Sequence, residues 1–132
     1  MFGIGKLHFR SVDKKKIDDE AHVNDYRNAP ETGRVRLGKL CFYYKDLGRK
    51  YLVPYEYIER AFCRISECQP DDSPAYYYYR LILVNHDKEF ANLIFNREED
   101  VDYLLGQLKI INPDIQIGYI PPADGKHQPR FS

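Results

Sequence analysis

"YLVPYEYIERAFCRI", residues 51–65, is the stretch whose reading decides the architecture. Tyr51 and Val53 carry a strand-like alternation up to Pro54, whose ring lacks the N–H that a ladder needs and so marks a strand end, an edge or a corner. Beyond Pro54 no strict alternation makes one face purely apolar. A short helical turn over Tyr55 to Ile58, followed by a strand from Arg60 to Cys68, resolves most of the conflict. Ile58 then joins the core, Ala61, Cys63 and Ile65 point inward, and Arg60, Phe62 and Arg64 point outward.

The same reasoning extends in both directions. Upstream, "VRLGKLCFYYKD" (35–46) offers Val35, Leu37, Leu40, Phe42 and Tyr44 as apolar positions, with Gly38 where a bulge or bend can change the phase. "KDLGRK" (45–50) reads as a hairpin turn because Gly48 supplies the positive φ of a tight reversal. Further back, "KLHFRSV" (6–12) alternates as a first strand, with Leu7 and Phe9 on one side. Between them, residues 13–33, "DKKKIDDEAHVNDYRNAPETG", are polar and charged, the composition of a short surface helix or a loose linker.

Downstream, "QPDDSP" (69–74) is a loop, "AYYYYRLILVN" (75–85) a long strand, "HDKE" (86–89) a turn and "FANLIFN" (90–96) the antiparallel return. Asn96 and Glu99 have the spacing of a capping pair. Val101, Leu104, Leu105, Leu108 and Ile111 then recur at helical spacing, and Pro113 ends the helix. "IQIGYI" (115–120) reads as a late strand and residues 121–132 as a frayed tail.

A chain of 132 residues is the length of one domain with one core. Twenty basic and twenty acidic residues leave no net charge, which removes the general field of a nucleic-acid binder and restricts any anion site to a local cluster. Twelve Tyr and seven Phe weight the composition toward strands. No stretch approaches the roughly 20 apolar residues of a membrane span, and residues 1–6 lack the apolar core of an export signal, so a cytoplasmic address is expected. Cys41, Cys63 and Cys68 have no close-pair spacing and are expected as reduced thiols.

Strand runs followed by one amphipathic helix give an α+β fold: a strongly bent antiparallel sheet or small barrel capped by a C-terminal helix. The block "GKLCFYYKDLGRKYLVPYEYIERAFCRI", the hairpin "YYYYRLILVN…EFANLIFN" and the helix "REEDVDYLLGQLKIINP" resemble, over about residues 34–113, the pleckstrin-homology-like domains of bacterial and GRAM type. Gly38, Leu40, Pro54, Tyr55 and Ile58 carry the likeness. The resemblance implies a domain over 34–120, a scaffold without catalytic residues, and a protein, peptide or phosphoinositide as ligand. Residues 1–33 are a strand and polar segment, either part of that domain or an appendage to it.

Two sets of residues are candidates for binding. Arg60, Phe62 and Arg64 on the outward face of one strand combine the residue types enriched at protein interfaces, which points to a protein or peptide partner or to self-association. Arg34, Arg36, Lys39, Lys45, Arg49 and Lys50 flank a hairpin and, if they converge, would offer guanidinium and ammonium donors to an anion or lipid headgroup. The alternative for this set is a row of solvated charges that protects strand edges. Tyr76 to Tyr79 could stack bases, but the balanced charge speaks against nucleic acid and for two inward and two outward tyrosines. His8, His22, His86 and His127 share no ligand spacing, so neither a metal nor a cofactor is expected. Gly3-Ile4-Gly5 lacks the rest of a phosphate-binding fingerprint, and no catalytic constellation stands out. An enzyme of unrecognised type is the remaining alternative.

Overall fold

The strand end at Pro54 forms as expected in the computed structural model, which describes residues 7–118. A strand runs to Pro54, one 3-10 turn covers Tyr55–Tyr57, and a new strand starts at Arg60. In chain order the described residues form β1 (Phe9–Arg10), β2 (Lys16–Ile17), α1 (Glu20–Asn28), β3 (Glu31–Thr32), β4 (Val35–Leu37), β5 (Cys41–Asp46) and β6 (Arg49–Pro54). There follow β7 (Arg60–Cys68), β8 (Tyr76–Asn85), β9 (Lys88–Phe95), α2 (Glu98–Ile111) and β10 (Gln116–Ile117). The class is α+β.

Two features differ from expectation. The strands lie in two sheets, ordered β2-β1-β6-β5-β4-β3 and β10-β7-β8-β9, and neither closes into a barrel among the described residues. The pairing is not wholly antiparallel, because β1 runs parallel to β6 and β10 parallel to β7. Both parallel strands arrive through long connections, so no tight turn dictates their direction. Of the two readings of the polar stretch at 13–33, the short helix is the one that forms, as α1. The chain divides into two compact units, one up to Tyr55 and one from Glu56 onward. Residues 1–6 and 119–132, which include the expected tail and the end of the late strand, lie outside the described residues.

In the first unit, β5 and β6 pair from Cys41↔Pro54 to Asp46↔Arg49 around a turn in which Leu47 and Gly48 both have positive φ, 50° and 78°. That geometry matches the twist of the flanking strands. α1 starts at Asp19, whose carboxylate accepts from the His22 backbone N–H at 3.2 Å. Nine residues are too few for a helix to stand alone in water, so packing must hold it. Tyr26 is buried with Phe9, Cys41, Tyr43 and Leu52, and half-buried Leu7, Ile17 and Val23 close the cluster. Three of its rings interlock, with centroids of Phe9, Tyr26 and Tyr43 between 5.1 and 5.5 Å apart.

One carboxylate ties helix to sheet. Asp25 accepts from the backbone N–H groups of Lys39 (2.8 Å) and Leu40 (3.0 Å) and from the Tyr43 hydroxyl (2.8 Å). Gly38 sits beneath it, with its carbonyl accepting from the Tyr55 hydroxyl at 2.6 Å. A Cβ at position 38 would fall inside Asp25 Oδ2 and 2.6 Å from Tyr43 Cε2. Gly38 therefore makes the bend that the sequence suggested, and Leu40, just past it, leaves the strand alternation and is exposed.

In the second unit, β7 and β8 pair without interruption from Arg60↔Val84 to Cys68↔Tyr76. β8 and β9 are joined through His86 and Asp87, both at positive φ, with a bulge near Leu83/Val84. Alternation puts Ala61, Cys63, Leu81, Leu83, Ala91, Leu93 and Phe95 on one buried face. α2 packs on β7, β8, β9 and β10 and buries Val101, Leu104, Leu105 and Leu108. Ile111, expected in that stripe, is exposed in the last helical residue. The expected Asn96–Glu99 capping pair does not form: the N-cap is Arg97, and its guanidinium holds Glu99 at 2.7 Å.

The Asp25 cluster generates two predictions. Gly38→Ala should destabilise the protein by about 1–3 kcal/mol and Tyr43→Phe by about 1.5–3 kcal/mol, both readable in urea unfolding. Burial raises the proton affinity of Asp25, but the bonds from Leu40, Tyr43 and Lys39 outweigh it and hold the carboxyl below the ordinary carboxylate range. A depressed folded-state pKa stabilises fully above the unfolded value, roughly 4, and loses that contribution as pH falls through the folded one. The stability gap between wild type and Asp25→Asn should therefore be largest at neutral pH and shrink in acid; a gap independent of pH would remove Asp25 from this role.

Candidate functional site

Arg60, Phe62 and Arg64 do share one face of β7, as alternation requires, but Phe62 is only 5% exposed and clusters with buried Ile82 and Val84. The expectation of an exposed docking ring is corrected: cross-strand neighbours Ile82 and Val84 make this part of the face apolar too. Arg64 reaches across it. Its guanidinium lies 5.5 Å from the Phe62 ring centroid and makes a two-pronged bond to Glu89, with Nη1 to Oε1 at 3.2 Å. Arg60 binds Gln116 Oε1 at 3.3 to 3.4 Å, linking β7 to β10. Both arginines are engaged within the second unit.

The basic residues of the first unit meet only in part. Lys45 and Lys50 are opposite each other on β5 and β6, as are Asp46 and Arg49, and the Arg34 carbonyl accepts from the Lys45 N–H at 3.0 Å. Acidic residues intervene. Arg34 is 3.7 Å from Asp46, while Arg36 and Lys45 lie 3.7 and 3.8 Å from the same oxygen of Glu31. Arg36 also donates to the Tyr26 carbonyl at 3.1 Å and sits 4.5 Å over the Tyr26 ring, a cation closing the C-terminal end of α1. Lys39 is placed apart, at the Gly38 bend.

A surface that the sequence reading undervalued is the end of the β7–β8 ribbon. β9 pairs with β8 only from Tyr79↔Phe95 onward, so among the described residues Tyr76, Tyr77 and Tyr78 have a strand neighbour, β7, on one side alone. Tyr76 is 43% and Tyr77 49% exposed, on opposite faces, and Tyr78 and Tyr79 are half-buried. The expected two inward tyrosines are thus not fully enclosed, because the ribbon runs past the strand that would flank it. Tyr78 donates to the Tyr76 hydroxyl at 3.1 Å, with the rings edge to face at 5.3 Å. Hydrogen bonds with Cys68 and Tyr78 push the Tyr76 hydroxyl pKa upward, so the phenol stays neutral.

The outer side of α2 is the second such surface. Tyr103 (48% exposed) and Ile110 (72%) stand two turns apart with exposed Gly106 between them. A Cβ at Gly106 would meet nothing within 4 Å, so among the described residues neither packing nor backbone conformation requires glycine there. A glycine in a helix interior costs about 0.5–1 kcal/mol relative to alanine. Beside it runs a shallow groove of about 300 Å³ lined by Asp102, Leu105, Gly106, Lys109 and Ile117. The Lys109 ammonium is held at the groove by the carbonyls of Pro113 (2.7 Å) and Ile115 (3.0 Å).

Among the described residues no three His, Cys, Asp or Glu side chains converge as a metal would need, and no helix is long and apolar enough to cross a membrane. Cys41 and Cys63 are buried thiols and Cys68 is half-buried. The burial of Phe62 sets an expected outcome: Phe62→Ala should lower the unfolding free energy by about 3–5 kcal/mol, where an exposed ring would give a change within about 0.5 kcal/mol. Comparison with protein-family models, with curated proteins and with solved structures gives no match to this chain.

Proposed function

We propose that the chain is a non-catalytic interaction module that takes an extended protein or peptide segment along the β7–β8 ribbon. The observation that carries this reading is the one-sided pairing of Tyr76 to Tyr78 together with the exposure of two of their rings. Backbone donors and acceptors on the open side can pair with an added strand, and the flanking rings supply contact area with few rotatable bonds. The order of elements from β4 to α2 supports the pleckstrin-homology-like resemblance, while the two separate sheets and the parallel additions depart from a plain barrel. Buried thiols at Cys41 and Cys63 fit a reducing compartment such as the cytoplasm.

Two other readings draw less support. For anion or headgroup binding, Arg34, Arg36 and Lys45 are already paired with Asp46 or Glu31, which leaves exposed Arg49, half-buried Lys50 and Lys39 as donors without such a pairing among the described residues. For catalysis, three groups of the first unit with displaced proton affinity, Asp25, Tyr43 and Tyr55, are committed to the bend at Gly38, and Tyr44 is displaced mainly by its own burial.

Selection of random peptides on the wild-type chain, followed by titration against a Tyr76→Ser/Tyr77→Ser variant, tests the ribbon. The selected peptides should lose at least about tenfold in affinity, or 1.4 kcal/mol, on the variant while its unfolding midpoint stays unchanged. Equal binding to both proteins, or no enrichment at all, would overturn the assignment.

A further inference from the structure

We infer that the outer face of α2 is a self-complementary surface on which a second copy of this chain packs antiparallel, with Gly106 at the two-fold axis. The inference deepens the interaction-module reading by naming a partner, and it uses a surface separate from the tyrosine ribbon.

The argument begins with symmetry. In a two-fold contact between antiparallel helices, residues on one flank of the first helix face residues on the same flank of the second, in reverse order. α2 carries two pairs seven residues apart, one on each flank of Gly106: Asp102 with Lys109, and Tyr103 with Ile110. The first pair is centred half a residue before Gly106 and the second half a residue after it, so one axis through Gly106 serves both. Asp102 of one copy then meets Lys109 of the other, twice, and each Tyr103 meets an Ile110. Charge and apolar surface are both matched without any other protein.

Three observations fit that placement. Gly106 has open space where a side chain would be, and its absence lets two helix backbones approach closely. Lys109 lines the groove and its ammonium is held by two carbonyls, neither of them charged, which leaves one of its three N–H donors for a carboxylate. Asp102 is exposed, and no ion pair engages it among the described residues. The groove lined by Asp102, Leu105, Gly106, Lys109 and Ile117 would receive side chains of the second copy. A contact confined to one fourteen-residue helix is small, so association should be reversible and concentration-dependent.

Sedimentation equilibrium of the full chain over a range of concentrations tests the inference. Wild type should fit a monomer–dimer equilibrium. Gly106→Leu, which places bulk at the axis from a Cβ that has nothing within 4 Å among the described residues, should weaken the dimer at least about tenfold, while its unfolding midpoint at low protein concentration is unchanged or raised. Asp102→Lys, which sets like charges face to face, should weaken it as well, with an effect that fades at high salt. A wild type that remains monomeric at the highest concentration, or a dimer indifferent to Gly106→Leu, would overturn the proposal. Peptide binding by the ribbon should survive Gly106→Leu, which keeps failure of this inference distinct from failure of the ribbon assignment.

Discussion

Burial of the leucine stripe of α2 against its sheet is the constraint on which the second unit depends. Val101, Leu104, Leu105 and Leu108 meet a face built from Ala61, Cys63, Leu81, Leu83, Ala91, Leu93 and Phe95. Removing those surfaces from water at about 25 cal/mol per Å² is the largest favourable contribution available to a sheet of four strands. It also settles which residues are left outside. A helix that commits one stripe to the sheet must present the other to solvent, and here that other stripe contains Tyr103, Gly106 and Ile110. The candidate surfaces are therefore what remains after the core is made.

The first unit solves a different problem. α1 is short and polar, so its attachment needs more than Tyr26 and Val23. Asp25 supplies it by accepting three hydrogen bonds at the Gly38 bend, while Arg36 closes the far end of the helix through the Tyr26 ring and carbonyl. Ionised acceptors make stronger hydrogen bonds than neutral ones, and a carboxylate satisfied in this way tolerates partial burial. One of the acidic residues that gave the segment its polar character, Asp25, is thus a residue that fastens it.

Legibility in the sequence followed from how local each determinant is. The β5–β6 and β8–β9 hairpins, the strand end at Pro54 and the strand Arg60–Cys68 rest on turn chemistry and alternation within a few residues, and they were readable. So was the apolar stripe of α2. The role of residues 13–33 was not, because Asp25 finds Lys39, Leu40 and Tyr43 only after the chain has folded back. Phe62 failed for a related reason: alternation separates two faces but does not say that both are apolar over part of their length. Whether the basic residues from Arg34 to Lys50 meet was left open by their spacing, and the intervening Glu31 could not be foreseen from it, since it reaches Arg36 and Lys45 from the neighbouring strand β3.

Charge and aromatic residues have been treated differently by this fold, and the difference bears on function. Where arginines gather, a carboxylate or amide from a neighbouring element is in contact: Glu31, Asp46 and Glu89 serve Arg36, Arg34 and Arg64, and Gln116 serves Arg60. Where large apolar or aromatic residues reach the surface, at Tyr76, Tyr77, Tyr103 and Ile110, no such covering is supplied. Solvation alone explains an isolated exposed apolar residue, but not Tyr76 with Tyr77 beside an open strand edge and Tyr103 with Ile110 beside a helix glycine that no packing among the described residues requires. A partner that offers backbone or apolar surface suits such places better than one that offers charge. That is the physical ground for looking to proteins, including another copy of this one, before looking to anions.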